Sequence, residues 1–160
     1  MTTKDAFSDE EWVRVRRAPF VAGMAISLAD PGGPFEVARE TMATLRSATN
    51  PPSREQLVAE IALELQGMTQ QKQNPLSDFK PAKGAHPGSQ VLEELRAVCG
   101  IVQAKASPEE YDAVRRWLVT TAEAAAAAAK EGGFMGFGAV QVSEGEQRML
   151  EQLRTELDLP

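Results

Sequence analysis

Apolar residues recur at three- and four-residue intervals along most of the chain, which is the spacing of one face of an α-helix. The pattern is clearest in three segments, at residues 91–102, 111–128 and 149–157. Strand-like alternation is confined to one short stretch, Ala139 to Val142. The pattern therefore predicts an all-α protein in which residues 1–160 form one domain, a bundle of six or seven helices.

A different segment is apolar on every side. Nearly all residues from Phe20 to Ala29 are apolar, and a helix without a polar face is normally buried among other helices. Gly23, in the middle of this segment, would let a neighbouring helix approach closely. Pro19 precedes the segment and predicts a break, so that a separate first helix ends near Arg17.

Several helix beginnings are marked by a serine followed three residues later by Glu or Gln, which is the capping-box pattern. It occurs at Ser8–Glu11, Ser53–Gln56, Ser107–Glu110 and Ser143–Glu146. A further helix begins at Pro34, since proline suits the first helical turn. This helix carries a stripe that is predicted to be buried, consisting of Phe35, Ala38, Met42 and Leu45.

Two long connections interrupt the helices. The more polar one, from about residue 70 to residue 89, is predicted to be mobile, with Leu76 and Phe79 as its large apolar anchors. The other, residues 132–142, is a glycine-rich loop that also contains large apolar side chains. The candidate binding residues of this glycine-rich loop are Phe134, Met135, Gly136, Phe137 and Gly138.

The glycine-rich loop lies between two predicted helices, and this setting argues against a phosphate cradle. Such cradles need a strand before the loop and a helix directly after it. Three interpretations stay open. The apolar side chains of the loop fill a gap beside the alanine-rich segment Ala122 to Ala129, present a docking surface, or close over a small apolar ligand.

Charge and composition narrow the classes of function. A net charge of −6 disfavours nonspecific nucleic-acid binding. The one basic cluster, Arg14, Arg16 and Arg17, follows three acidic residues and is interpreted as a solvated face. The longest nearly apolar run, Ala18 to Ala29, is too short to span a bilayer, and the polar N-terminus lacks a signal peptide's apolar core. Together with the single cysteine, these features predict a cytoplasmic protein.

Candidate catalytic and metal-ligating residues are few. The only histidine, His86, lies in the polar connection, while Cys99 falls on an apolar helix face, so nucleophilic catalysis is disfavoured. A single histidine cannot supply the Glu-x-x-His pairs of a di-iron bundle. An oxygen-ligand site at Asp30, Glu36 and Glu40 is the remaining metal hypothesis. No cofactor is predicted, and an enzymatic activity is not favoured.

Two family resemblances rest on these segments. Residues 130–138 (KEGGFMGFG), residues 142–146 (VSEGE) and the segment from Ala18 to Pro34 resemble a group of small uncharacterised bacterial all-α proteins, which implies no particular activity. The segment Asp30 to Glu36 is similar to the turn before a helix in TerB-like tellurite-resistance proteins. That similarity implies a helical fold and an acidic metal-binding role.

The sequence thus predicts a non-enzymatic helical protein that binds a protein partner or a second copy of itself. The predicted surface combines the apolar segment Phe20 to Ala29 with the glycine-rich loop. One alternative is a binder of small apolar ligands with a pocket beside the alanine-rich segment. The other is a TerB-like protein that binds a metal through carboxylates.

Overall fold

A computed structural model describes residues 2–29, 34–81, 86–130 and 143–159. Within these ranges the chain forms six α-helices and a 3-10 turn at Lys4–Ala6, and it contains no strand. The all-α bundle predicted from the sequence is confirmed, while the candidate strand at 139–142 lies outside the described residues. The helices are α1 (Asp9–Ala29), α2 (Pro34–Thr49), α3 (Gln56–Gln70), α4 (Pro87–Lys105), α5 (Pro108–Lys130) and α6 (Glu144–Glu156).

Helix α1 lies at the centre of the bundle and contacts each of the other five helices. The prediction that its apolar C-terminal half is buried is confirmed, because Phe20, Val21, Ala25 and Ile26 are all in the core. Burying one large apolar side chain stabilises a fold by about 1.5–3 kcal/mol. The large, fully buried side chains that the other helices contribute to the core include Leu57, Ile61, Leu65, Leu95, Trp117, Leu118 and Leu153.

Pro19 does not end a helix, so the predicted break near Arg17 is wrong. Helix α1 continues from Asp9 to Ala29 with Pro19 inside it. A proline in a helix interior removes one hydrogen bond and costs about 3 kcal/mol. Here Val15 and Ala18 before the proline and Phe20 after it are all buried. The tertiary contacts of these side chains hold the helix together where local propensity would interrupt it.

Three of the four predicted capping boxes begin helices. In each of these, the serine hydroxyl accepts a hydrogen bond from the backbone amide of the glutamate at 3.1–3.2 Å. The box predicted at Ser53 is wrong, because α3 begins at Gln56 with Glu55 as its uncapped N-cap residue. The Ser53 hydroxyl instead accepts from the amide of Glu55 at 3.1 Å, within the connection. The confirmed boxes are Ser8–Glu11, Ser107–Glu110 and Ser143–Glu146.

The connection between α3 and α4 is anchored by the two residues that the sequence indicates. Leu76 and Phe79 are half-buried and pack against the core. The guanidinium carbon of Arg17 lies 5.1 Å from the centre of the Phe79 ring, at cation–π distance. Residues 82–85 lie outside the described residues, so the mobility of this connection stays a prediction.

Helices α1 and α2 run antiparallel and touch at Gly23. A Cβ atom added at Gly23 would lie 2.9 Å from the Cβ of Thr44 on α2, and closer still to the hydroxyl and methyl groups of that threonine. Glycine is therefore required by the close contact between the two helices rather than by its backbone conformation. The close approach predicted at Gly23 is confirmed.

Substituting Gly23 tests this contact. We expect Gly23→Ala to lower the free energy of unfolding by about 1–3 kcal/mol, because the new methyl group overpacks the α1–α2 contact. Urea denaturation followed by circular dichroism measures the change. Gly67→Ala is the matched control, since Gly67 is also helical and a Cβ there meets nothing within 4 Å. The control should be stabilised by about 0.5–1 kcal/mol; equal effects at the two positions would contradict the proposed contact.

Candidate functional site

Helix α2 is oriented opposite to the sequence prediction. Its buried face consists of Glu40, Thr44 and Ala48, which follow one another at four-residue steps. The predicted buried stripe is wrong at Phe35 and Met42, because Phe35 is 82% exposed and Met42 is 55% exposed. The other two members of that stripe are Ala38, which is exposed, and Leu45, which is half-buried.

The inner face of α2 is held by hydrogen bonds and close packing. Glu40 is only 2% exposed, and its carboxylate accepts a hydrogen bond from the Ser27 hydroxyl of α1 at 2.5 Å. The hydroxyls of Ser47 and Thr121 are 2.8 Å apart, which joins α2 to α5. The indole Nε1 of Trp117 donates to the Ser47 carbonyl at 2.9 Å. These polar contacts fix α2 in an orientation that turns its large apolar side chains towards solvent.

A groove runs between the outer face of α2 and the C-terminal part of α5. It encloses about 400 Å³, which is within the range of about 300–1,000 Å³ that is typical of binding pockets. Phe35 and Met42 supply its large apolar surface. The residues that line this α2 groove are Phe35, Ala38, Arg39, Met42, Ala43 and Arg46 of α2 and Ala128 of α5.

The two arginines of the α2 groove were not among the residues singled out from the sequence. Arg39 follows Phe35 by four residues, and Arg46 follows Met42 by the same interval. The two pairs are themselves seven residues apart, so all four side chains share one face of the helix. This repeat in the sequence indicates an exposed face with apolar and basic side chains. The prediction that Phe35 and Met42 are buried excludes such a face, which is why the two arginines are not predicted as binding residues.

Another cleft lies between α1 and α2 on the opposite side of α2. It encloses about 170 Å³, which is below the usual range of ligand pockets. The α2 groove, rather than this cleft, borders the alanine-rich segment through Ala128, which is where the ligand-binding alternative placed its pocket, and that alternative stays a prediction. In that segment Ala122, Ala125 and Ala126 are buried, so the small side chains allow close helix packing. The residues lining the cleft are Phe20, Gly23, Met24, Ser27, Thr41, Thr44 and Leu76.

The interaction surface predicted from the sequence consists of the glycine-rich loop and the apolar segment Phe20 to Ala29. The candidate binding residues of the loop, from Phe134 to Gly138, lie outside the described residues. The apolar segment Phe20 to Ala29, the other part of the predicted interaction surface, is largely buried in the core. Among the described residues, the α2 groove is therefore the surface that best fits a binding role.

Two of the three proposed metal ligands, Glu36 and Glu40, do not face one common site. Glu36 is exposed, whereas Glu40 faces the core and bonds Ser27. Asp30 lies outside the described residues. In the part of the chain that is described, no group of three or more His, Cys, Asp or Glu side chains is arranged to hold a metal ion.

The basic cluster on α1 is an ion-pair network between helices, so its interpretation as a solvated face is wrong. Arg14 and Arg17 both bond the carboxylate of Glu94 on α4, at 2.9 and 3.2 Å. Arg16 bonds Glu64 on α3 at 3.1 Å. Burial opposes ionisation of Glu94, but its bonds to the two arginines outweigh this effect and hold its pKa below the usual value. The cluster is thus committed to joining helices rather than to binding a ligand.

The environments of His86 and Cys99 do not favour nucleophilic catalysis. His86 is exposed at the N-cap position of α4. Cys99 is buried, and this burial raises the pKa of its thiol to about 12, although Arg115 partly opposes the shift. A thiol with such a pKa holds almost no thiolate at neutral pH, and the thiolate is the nucleophile.

Comparison with known proteins gives no family assignment. No family model, curated protein or solved structure matches the chain. Within the described ranges, none of the helices is both long enough and apolar enough to cross a bilayer.

The Glu94 network predicts a dependence of stability on pH. Because the pKa of Glu94 is lowered by folding, its contribution is present above the unfolded pKa of about 4.3 and is lost as pH falls through the folded value. We expect Glu94→Gln to cost about 1–3 kcal/mol at pH 7 and to weaken the loss of stability below pH 5. Urea denaturation from pH 3 to pH 7 measures both effects. Glu93→Gln, at an exposed neighbouring position, is the control, and an equal effect there would contradict the assignment.

The burial of Cys99 predicts an unreactive thiol. In the folded protein at pH 8, a maleimide reagent should modify Cys99 at least about a hundredfold more slowly than in denaturant, because the thiolate is disfavoured and shielded. Mass spectrometry of timed samples measures the rates. Modification of the folded protein at the rate of a free thiol would contradict the buried position.

Proposed function

We propose that this protein is a non-enzymatic interaction module that binds another polypeptide through the α2 groove. One observation carries the proposal: α2 turns Glu40 and Thr44 into the bundle and the large apolar side chains Phe35 and Met42 out. Phe35 at 82% exposure and Met42 at 55% exposure stand on one face of the same helix. Contiguous exposed apolar surface on a soluble domain is typical of a site of association.

The alternative explanations of this orientation are weaker. A helix packed only by its apolar face would bury Phe35 and Met42 and expose Glu40 and Thr44. The observed arrangement buries Glu40 instead and supplies it with a hydrogen bond from Ser27. Forming a buried polar contact while leaving large apolar groups in water is unfavourable for the isolated domain. It is favourable when a partner covers the outer face.

Site-specific photocrosslinking tests the proposed function. Benzoylphenylalanine in place of Ala38, inside the α2 groove, should give a discrete crosslinked product in the native host. The same residue in place of Ala104, an exposed alanine on α4, is the matched control and should give no such product. Adding Phe35→Ser and Met42→Ser should reduce the product about tenfold or more, because truncating central apolar anchors weakens binding strongly.

The same experiment identifies the outcome that would refute the function. Absence of a product at Ala38, or an identical product at Ala104, would show that the α2 groove is not a binding surface. Repeating the crosslinking with purified protein separates a second copy of this chain from a foreign polypeptide. Either of these two results is compatible with the proposed function.

A further inference from the structure

Charge distinguishes the α2 groove from the rest of the surface. Among the described residues, Arg39 and Arg46 form no ion pair or hydrogen bond through their side chains. Seven other arginines are bonded to carboxylates, whereas Arg148 bonds a backbone carbonyl and Arg54 has no such partner among the described residues. Arg46 lies only four residues from Met42 on the same open face. The paired arginines are Arg14, Arg16, Arg17, Arg96, Arg115, Arg116 and Arg154.

Among the described residues, the lining of the α2 groove contains two arginines and no carboxylate. Two other grooves of comparable volume, about 380 and 430 Å³, are lined by acidic and basic residues together. The chain as a whole carries a net charge of −6. The α2 groove is therefore a positive, partly apolar site on an acidic protein, and such a site attracts an anionic partner.

We infer that the α2 groove binds an amphipathic helical segment of an acidic partner protein; this inference rests on the proposed function. The apolar face of the segment packs on Phe35 and Met42, and carboxylates at its edge pair with Arg39 and Arg46. These arginines are seven residues apart, so they stand about two helical turns, or about 10.5 Å, apart along α2. Partner carboxylates seven residues apart on one helix match this spacing. Helix-in-groove recognition uses anchors of this kind.

A second copy of this chain fits the charge pattern less well. In a two-fold pairing of α2 with α2, the same surface patch meets itself. Arg39 and Arg46 of both copies would then lie along one strip, and their like charges would repel each other. Among the described residues, Glu36 is the one exposed acidic residue of α2. An acidic segment supplies the missing counter-charges without this repulsion.

An anionic membrane surface is also disfavoured. Lipid recognition by charge typically uses clusters of about four to eight Lys or Arg residues. Among the described residues the α2 groove offers two arginines, and the chain as a whole is acidic and would be repelled by anionic lipids. The surface is moreover concave, since Ala128 of α5 forms its far side.

Selection from a peptide library tests the partner's chemistry. The library displays amphipathic helices with a constant leucine face and with Glu, Gln or Lys at each edge position. It is selected on the wild-type protein and counter-selected on the variant with Phe35→Ser and Met42→Ser, which lacks the apolar anchors. We expect the retained peptides to carry Glu seven residues apart at one edge. On the variant with Arg39→Glu and Arg46→Glu, the preference should change to Lys.

The contribution of charge is measured as the ratio of the affinities for Glu-edged and Lys-edged peptides. A Glu-edged peptide should bind the wild-type protein about tenfold more tightly than its Lys-edged counterpart at low salt, and the difference should shrink at high salt. Fluorescence anisotropy measures both. The four substituted residues are exposed, and circular dichroism melting checks that each variant keeps its fold.

Four results would overturn this inference. The first is that no selected peptide depends on the α2 groove, and the second is that Lys-edged peptides bind as tightly as Glu-edged peptides or more tightly. The third is that phosphatidylserine vesicles bind the protein more tightly than any selected peptide does. The fourth is that the protein forms a concentration-dependent dimer that Phe35→Ser and Met42→Ser disrupt. The dimer would leave the proposed function intact while excluding a foreign acidic partner. Failure of crosslinking at Ala38, by contrast, would remove the proposed function itself.

Discussion

The apolar C-terminal half of α1 is the element on which the arrangement of the other helices depends. Its side chains point in all directions, and a helix of this kind is stable in water only when others surround it. The remaining five helices all contact α1, and most of them contribute an apolar stripe. Pro19 is kept inside the helix by the same burial. The centre of the bundle is therefore determined by one helical segment that has no polar face.

Helix α2 meets this central helix under a different constraint. At Gly23 there is no side chain, so α2 approaches closely enough for Thr44 to occupy the space. Small and hydroxyl-bearing residues fit at this contact. Glu40 can be buried there because the Ser27 hydroxyl donates a hydrogen bond to its carboxylate. Large side chains would not fit between the two helices. Phe35 and Met42 are therefore left on the outside, where each forgoes about 1.5–3 kcal/mol of burial.

The ion pairs of the N-terminal half of α1 fix its position against α3 and α4. Glu64 bonds Lys4, Arg16 and the indole of Trp12, and Glu94 bonds the arginines on the neighbouring turns. In these partly buried networks each carboxylate bonds two cationic side chains, and such charge-assisted hydrogen bonds make specific contacts between helices. Arg39 and Arg46 lack such partners within the described residues. This contrast gives the α2 groove its charge and links the packing of α1 to the proposed binding function.

The sequence by itself determined where most helices begin and which segments are apolar. A capping box consists of contacts between residues three positions apart, so the helix beginnings at Ser8, Ser107 and Ser143 depended little on the rest of the fold. It also indicated the need for glycine at position 23 and the burial of the segment around Ile26. The residues of the glycine-rich loop lie outside the described part of the chain, so their binding role stays a prediction.

The tertiary structure alone decided how α2 is oriented and what the basic cluster does. Periodicity shows which face of a helix is apolar, but it does not show whether a neighbour can accommodate that face. For α2, the available surfaces were those of α1 at Gly23 and Ser27 and of α5 at Thr121, which contact small and polar groups. The residues of the candidate site, Arg39 among them, became visible only because that steric constraint turned the apolar face outward.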